Sequence, residues 1–193
     1  MPAIAHLAQV SDATAYRHFP DLLAVLAEGF EGVWPNVSEA LPDLESCPDP
    51  VVRIALVTEF LARNVLQLQG AVRTMIALTI TRPEQTEGVR PAHRDHLIRV
   101  ALEPFSDLSS TRRERLRREL SVVVSAEALF TLLDLRKLDA DEAVDTLVET
   151  AQVLVRAAVT DTFGGIVASR RAPLPAARIK GPKKKTGQDT DRA

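Results

Sequence analysis

Residues 4–19, IAHLAQVSDATAYRHF, decide the fold that this sequence predicts. The small apolar residues Ile4, Ala5 and Ala8 follow a helical spacing and give the first part of the stretch one narrow apolar face. Val10 breaks that spacing, and we expect its side chain to fill the gap between this helix and the next one. The stretch therefore predicts two short helices joined by a tight turn.

The second of these helices separates apolar from hydrogen-bonding side chains. Ser11 or Asp12 can cap its start, because either side-chain oxygen can accept a hydrogen bond from a backbone N–H of the first turn. Ala15 and Phe19 lie four residues apart and share the inward face. The other faces carry Thr14, Tyr16, Arg17 and His18. A recognition helix in a DNA major groove requires this separation.

These residues resemble the DNA-binding motif of the TetR family of bacterial transcriptional regulators. The family pattern runs roughly Ile-Ala-x-x-Ala-Gly-Val-Ser-x-x-Thr-Leu-Tyr-x-His-Phe. The chain matches it at Ile4-Ala5, Ala8, Val10-Ser11, Thr14, Tyr16 and His18-Phe19. By motif the resemblance covers residues 2–34, and beyond them it rests only on the number and length of the helices.

The resemblance implies an all-α fold with an N-terminal helix-turn-helix, followed by a helical bundle that binds a ligand and dimerises. It implies that Thr14 and Tyr16 bond DNA phosphates. The candidates for DNA contact are Ser11, Asp12, Ala13, Thr14, Tyr16, Arg17 and His18, of which Asp12, Ala13, Arg17 and His18 could reach base edges. We expect a homodimeric repressor of a double-stranded DNA operator, relieved by a small apolar effector. The alternative is a dimeric small-molecule-binding or interaction module that has lost DNA binding.

The head of the chain departs from the family pattern in length and charge. The family carries a whole helix before this motif, so the predicted three-helix head is truncated at Met1. Gln9 stands where the family has glycine, and Leu22 where it often has a phosphate-binding lysine. Residues 1–35 contain one arginine against four carboxylates, a poor balance for DNA. A start codon assigned too late, a shortened chain or real loss of DNA binding could explain this, and we favour the first.

The composition favours helices and argues against a disulfide-bonded, a cysteine-zinc or a membrane-spanning protein. The chain has 193 residues, of which 46% are hydrophobic and only 4% aromatic. The single cysteine, Cys47, rules out an internal disulfide and a cysteine zinc site. No apolar run approaches the ~18 residues of a membrane span, and no signal peptide opens the chain. We therefore expect a soluble, cytoplasmic protein that contacts no membrane.

Prolines and hydrophobic periodicity divide the chain into predicted segments. We expect a helix-turn-helix domain at 1–34, a proline-rich connector at 35–50, an effector-binding and dimerisation domain at 51–166 and a disordered basic tail at 167–193. Within the third segment the predicted helices span 51–69, ending at Gly70, 72–81, 92–107, 110–138 and 140–163. Residues 72–81 are β-branched enough to suit a strand, but we expect a buried helix. Capping-box spacing occurs at Thr111 with Glu114 and at Asp139 with Glu142.

The last helix carries an apolar stripe of heptad type. Its members recur at alternating four and three residues: Ala140, Val144, Leu147, Ala151, Leu154 and Ala158. Val148, Val155 and Val159 widen the apolar face, and small residues in the preceding helix would permit close approach. We expect a two-fold dimer interface that contains Ser121, Ser125, Ala128, Val144, Leu147, Ala151, Leu154, Val155 and Ala158. The alternative is that both stripes serve the core of one chain.

Two charges stand inside otherwise apolar segments, Arg73 and Glu127. An unpaired buried charge costs several kcal/mol, so each residue faces solvent, pairs with the other, or anchors a ligand. The candidate ligand-binding residues are Phe60, Arg73, Met75, Glu127 and Phe130.

Other possible sites have weaker support. His93 and His96, with Asp95 and Glu87 nearby, could hold a metal, but no further ligand has suitable spacing. Ser11, Asp12 and His18 lie within one short helix and cannot align as a catalytic triad. We therefore expect no enzymatic activity, no metal and no cofactor.

Overall fold

The computed structural model describes residues 1–31, 37–85, 93–105 and 108–163. Every regular element in these ranges is helical, which confirms the predicted all-α fold. The elements are α1 (Pro2–Leu7), α2 (Asp12–His18), α3 (Leu22–Glu31), α4 (Val37–Ala40), α5 (Pro42–Ser46), α6 (Pro50–Gln67), α7 (Gln69–Thr81), a 3-10 turn (Pro83–Gln85), α8 (His93–Leu102), α9 (Ser110–Val123), α10 (Ala126–Asp134) and α11 (Ala140–Phe163). In this described part, no helix is long and apolar enough to cross a bilayer. The predicted basic tail and the predicted boundaries at 34/35 and 166/167 lie outside the described residues.

The long helices α6 and α11 form the centre of the bundle. One apolar cluster joins them to α8 and α9, with Leu44 of α5 at its edge. A second cluster joins them to α7 and α10, with Phe30 of α3 at its edge. Ile54 and Val57 on α6 and Val155 on α11 are fully buried. Each such side chain contributes roughly 1.5–3 kcal/mol by leaving water.

The predicted dimer stripe on α11 is instead part of this core. In a single chain α6 already covers most of it, and Val144, Leu147, Ala151, Val155 and Ala158 are at most 7% exposed. Leu154 and Ala128 are half-buried against the same two clusters, and Ser121 is half-buried. The buried members of this stripe therefore belong to the core of one chain, as the alternative expected. A role for the half-buried Leu154, Ala128 and Ser121 at a dimer interface stays a prediction.

The predicted helix 110–138 is two helices. Val124 leaves helical geometry with ψ of 71°, and Ser125 is extended. The Ser125 hydroxyl accepts a hydrogen bond from the Ala128 backbone N–H at 3.1 Å, so it caps a new helix. Ser125, expected at a dimer interface, thus stabilises the chain's own backbone.

Other boundaries differ from the predictions for similar local reasons. The connector 35–50 contains α4 and α5, and Leu44 anchors α5 in the core at 1% exposure. The break after α6 falls at Leu68, and Gly70 lies in the first turn of α7. Residues 72–81 are helical as predicted, but only Val72 and Met75 are buried, whereas Ile80 is 70% exposed. The helix predicted at 92–107 spans His93–Leu102.

One of the two predicted capping boxes forms. The Asp139 carboxylate accepts from the Glu142 N–H at 2.9 Å, and the Glu142 carboxylate accepts from the Asp139 N–H at 3.3 Å. This reciprocal pair confirms the predicted start of α11. At α9 the capping residue is Ser109, whose hydroxyl accepts from the Arg112 N–H, and not Thr111.

Arg53 joins three helices from inside the bundle. Its side chain is buried at 2% exposure and donates only to backbone carbonyls. Nε donates to Ala101 and Nη2 to Val100, at 3.2 and 2.6 Å, near the end of α8. Nη1 donates to Leu44 and to Cys47 at the end of α5. The last carbonyls of a helix lack intrahelical partners and carry partial negative charge, so this guanidinium satisfies and neutralises both ends.

Replacing Arg53 by Met should therefore destabilise the chain by about 3 kcal/mol or more, because several buried carbonyls lose their donors at once. Urea unfolding followed by circular dichroism measures the loss. Arg63→Met is the matched control on the same helix, because the Arg63 side chain is 41% exposed and bonds Glu59 and Asp141 near the surface. Equal losses in the two variants would show that the buried contacts of Arg53 contribute little.

Candidate functional site

The turn between α1 and α2 is held by local backbone geometry. Gln9 adopts φ of 56°, in the left-handed region that glycine enters without strain. The Ser11 hydroxyl accepts a hydrogen bond from the Thr14 N–H at 3.1 Å, so Ser11, and not Asp12, caps α2. The two hydroxyls of Ser11 and Thr14 also share a hydrogen bond of 2.9 Å.

The polar residues of α2 lie outward. Ala15 is buried, as is Ala5 of α1, whereas Ser11, Asp12, Ala13, Tyr16, Arg17 and His18 are exposed and Thr14 is half-buried. The structure therefore places the predicted DNA-contact residues on one accessible helix. Val10 does not fill the gap between the helices as expected, since it is 42% exposed, and Leu7 is 83% exposed.

A cavity of about 110 Å³ lies where five helices meet. Its walls are mostly apolar and its polar groups come from the starts of α8 and α10. The lining residues are Phe30 on α3, Leu61 and Val65 on α6, Val72, Met75 and Ile76 on α7, His93 and Arg94 on α8, and Ala126 and Glu127 on α10. An apolar cavity with a few convergent polar groups is the usual form of a small-molecule site.

Two of the five predicted ligand-binding residues line this cavity, Met75 and Glu127. Phe60 packs against the cluster of α8 and α9 instead. Phe130 lies at a neighbouring shallow depression between α7 and α10, and Arg73 packs over its ring at 3.9 Å. The prediction missed Phe30, Arg94 and the other wall residues because they come from helices far apart in sequence.

Arg73 and Glu127 do not pair with each other. The Arg73 guanidinium makes two hydrogen bonds to the Asp134 carboxylate, of 2.5 and 2.8 Å, and the Arg73 hydrogen bond holds the pKa of Asp134 below its ordinary value. Glu127 lies 3.9 Å from Arg94, measured from Oε2 to Nη1. The hypothesis that Arg73 and Glu127 form an ion pair with each other is therefore wrong. Arg73 belongs to a surface pair, and Glu127 lies at the polar end of the cavity.

His93 also lies at that polar end. Burial lowers the pKa of its imidazole below the ordinary value of 6.5, and the nearby His96 lowers it further. His96 itself bonds Arg99 and borders a different depression. Within the described ranges no three His, Cys, Asp or Glu side chains converge as a metal site would require, and Glu87 lies outside those ranges.

Comparison of the chain with protein-family models, with curated proteins and with solved structures gave no match.

The lowered pKa of His93 should make the chain sensitive to acid. Well above pH 6.5 the imidazole is neutral in both the folded and the unfolded state, so it contributes no pH dependence there. Below pH 6.5 the unfolded imidazole binds a proton before the folded one, and the free energy of unfolding falls. Urea unfolding at several pH values should show a shallower decline for His93→Gln than for the unchanged chain. Identical declines would contradict this assignment.

Proposed function

We propose that this chain is a TetR-like transcriptional regulator, a homodimeric repressor that releases its DNA operator when a small apolar effector binds. The observation that carries the proposal is the position of α3. This helix begins at Leu22, shortly after α2 ends at His18, and its Phe30 forms part of the cavity wall. One helix thus links an exposed polar helix to a ligand-sized cavity.

The DNA contacts of this proposal follow from the exposed side of α2. Tyr16 is 49% exposed and can donate its hydroxyl to a phosphate, and Thr14 lies one turn from the exposed base-reading candidates. Arg17 can donate two hydrogen bonds to the O6 and N7 atoms of a guanine. His18 and Asp12 offer further polar groups to base edges.

The effector acts in this proposal through Phe30. A ligand that contacts this side chain changes the packing of α3, and α3 is connected to α2 by three residues. Because coupling between two binding sites is reciprocal, operator binding must change the affinity for effector by the same factor.

In a second candidate function, the chain binds a small effector but does not bind DNA. Among residues 1–31 the only arginine is Arg17, against Asp12, Asp21, Glu28 and Glu31. Phosphate contacts by Lys and Arg supply most of the affinity for duplex DNA, so this acidic head favours a ligand-binding or interaction module.

The dimer of this proposal uses the outward surface of α9 and α11, since the inward stripe is buried. Arg112, Arg115 and Glu119 line a groove with Leu154 and Ala157, so the first half of α9 lies along the second half of α11. Val122 and Val153 are exposed at 72% and 58%.

Charge on this surface is self-complementary. Apart from Arg117, which pairs with Asp95 of α8, helix α9 carries four arginines against two glutamates. Apart from Asp141, which pairs with Arg63 of α6, the first half of α11 carries Glu142, Asp145 and Glu149. The basic and acidic parts therefore lie at opposite ends of the surface. A two-fold axis near Val153 would place the basic end of one chain on the acidic end of its partner.

Selection from a random duplex library should enrich one operator, and Arg17→Ala should weaken binding to it by about tenfold or more, because a bidentate contact to a base contributes about 1–3 kcal/mol. Fluorescence anisotropy at fixed salt measures the affinity. Arg136→Ala, which removes an exposed cation from the turn before α11, should leave the affinity nearly unchanged. Failure to enrich any sequence above non-specific binding would overturn the DNA-binding proposal and favour the second candidate.

Val153→Glu should convert the dimer into a folded monomer, because it places two carboxylates near the two-fold axis without disturbing the core. Leu147→Glu should instead unfold the chain, since Leu147 is 4% exposed. Light scattering after size exclusion and thermal unfolding distinguish these outcomes.

Charge reversal provides the matched control for this dimer. Glu149→Arg should weaken association by repelling the partner's arginines, and adding Arg118→Glu should restore part of it; both residues are exposed. A monomeric unchanged chain at micromolar concentration would contradict the dimer.

A further inference from the structure

The volume of the cavity limits the size of its ligand. It measures about 110 Å³. An apolar cavity of about 150 Å³ binds benzene, whereas pockets for drug-sized molecules occupy about 300–1,000 Å³. This cavity is smaller than either and opens to solvent at its polar end, where the Arg94 and Glu127 side chains are 36% and 41% exposed. At most a single ring therefore fits between its walls.

The walls favour an aromatic ring. Phe30 and Met75 line the cavity and are 5% and 7% exposed, so they present a buried ring and a buried thioether. Aromatic rings pack favourably against other rings in edge-to-face or offset geometry, and thioether sulfurs contact ring edges favourably. Val65 and Val72 complete an apolar enclosure that offers no hydrogen bond.

The polar end favours a group that both donates and accepts. Arg94 can only donate and the Glu127 carboxylate can only accept, and their nearest atoms lie 3.9 Å apart. A hydroxyl can accept from the guanidinium while it donates to the carboxylate. The Glu127 carboxylate would repel an anionic ligand group, and the Arg94 guanidinium would repel a cationic one, so a neutral group is favoured. The lowered pKa of His93 keeps its imidazole neutral at pH 7, which preserves this balance.

We propose that the cavity binds a phenol: a compact, neutral, single-ring aromatic molecule whose ring contacts Phe30 and Met75 and whose hydroxyl lies between Arg94 and Glu127. This inference rests on the proposed function, because it names the chemical class of the effector. It does not depend on DNA binding, since none of the predicted DNA-contact residues lines the cavity.

Binding of simple probes to the full chain without DNA tests the inference. Phenol should bind at least about tenfold more tightly than benzoate, benzylamine or cyclohexanol, as measured by NMR shift titration and calorimetry. Benzoate and benzylamine test the charge balance, and cyclohexanol tests the aromatic walls. Tighter binding of any of these three probes than of phenol would overturn the proposal.

Two kinds of variant assign the binding to this cavity. Ala126→Leu fills the cavity and should abolish phenol binding, whereas Ala77→Leu is the matched control, because Ala77 is exposed on α7. Glu127→Gln keeps the shape of the cavity and should shift preference toward benzoate, and Arg94→Gln should shift it toward benzylamine. Phenol binding that survives Ala126→Leu, or preferences that do not move with charge, would place the ligand elsewhere and overturn the proposal.

The outcomes separate this inference from the proposed function. A chain that selects an operator but binds no phenol would overturn the ligand class alone. A chain that binds phenol as described but selects no operator would support the ligand class and overturn the DNA-binding role.

Discussion

The buried guanidinium of Arg53 is the interaction on which the arrangement of the helices depends. A buried charge is costly unless it is hydrogen-bonded and neutralised. Here the neutralising groups are the carbonyl ends of α5 and α8, which themselves need donors. Helix α8 begins with His93 and Arg94 at the polar end of the cavity. By holding the other end of α8 against α6, Arg53 fixes where that polar end lies.

Much of the fold could be predicted because hydrophobic periodicity reports helices directly. The spacing located α6 and α11, and the pair Asp139 and Glu142 located the start of α11 correctly. The break at Ser125 could not be predicted in the same way. A serine inside an apolar run is compatible with a continuous helix, and only its bond to the Ala128 N–H decides otherwise. The buried contacts of Arg53 could not be predicted either, because its partners are backbone carbonyls, and these leave no pattern in the sequence.

The errors in the predicted sites have one physical origin. An apolar stripe shows that a helix face is covered, but it does not show whether another chain or the same chain covers it. On α11 the cover is α6, so residues assigned to a dimer became core. The same limit applies to the cavity. Met75 and Glu127 could be predicted from their own segments, but no spacing along the chain relates them to Phe30 or Arg94. Such a set is defined only by the packing of distant helices.

Under the proposed regulation, the attachment of α3 to the bundle lets a small cavity affect the helices at the start of the chain. Among the described side chains of α3, residues 22–30, Phe30 is the only one that is fully buried, and the others are half-buried or exposed. Leu26 also packs against the second cluster, but Phe30 is the one buried side chain of the described part of α3, and its ring is also a wall of the cavity. Elements with few buried contacts open at low free-energy cost. Under the proposed regulation a ligand would not have to act through a long series of residues, because it would contact the most buried side chain that attaches α3 to the bundle. A cavity sized for a single ring is sufficient for this, since the contact needed is with one phenylalanine.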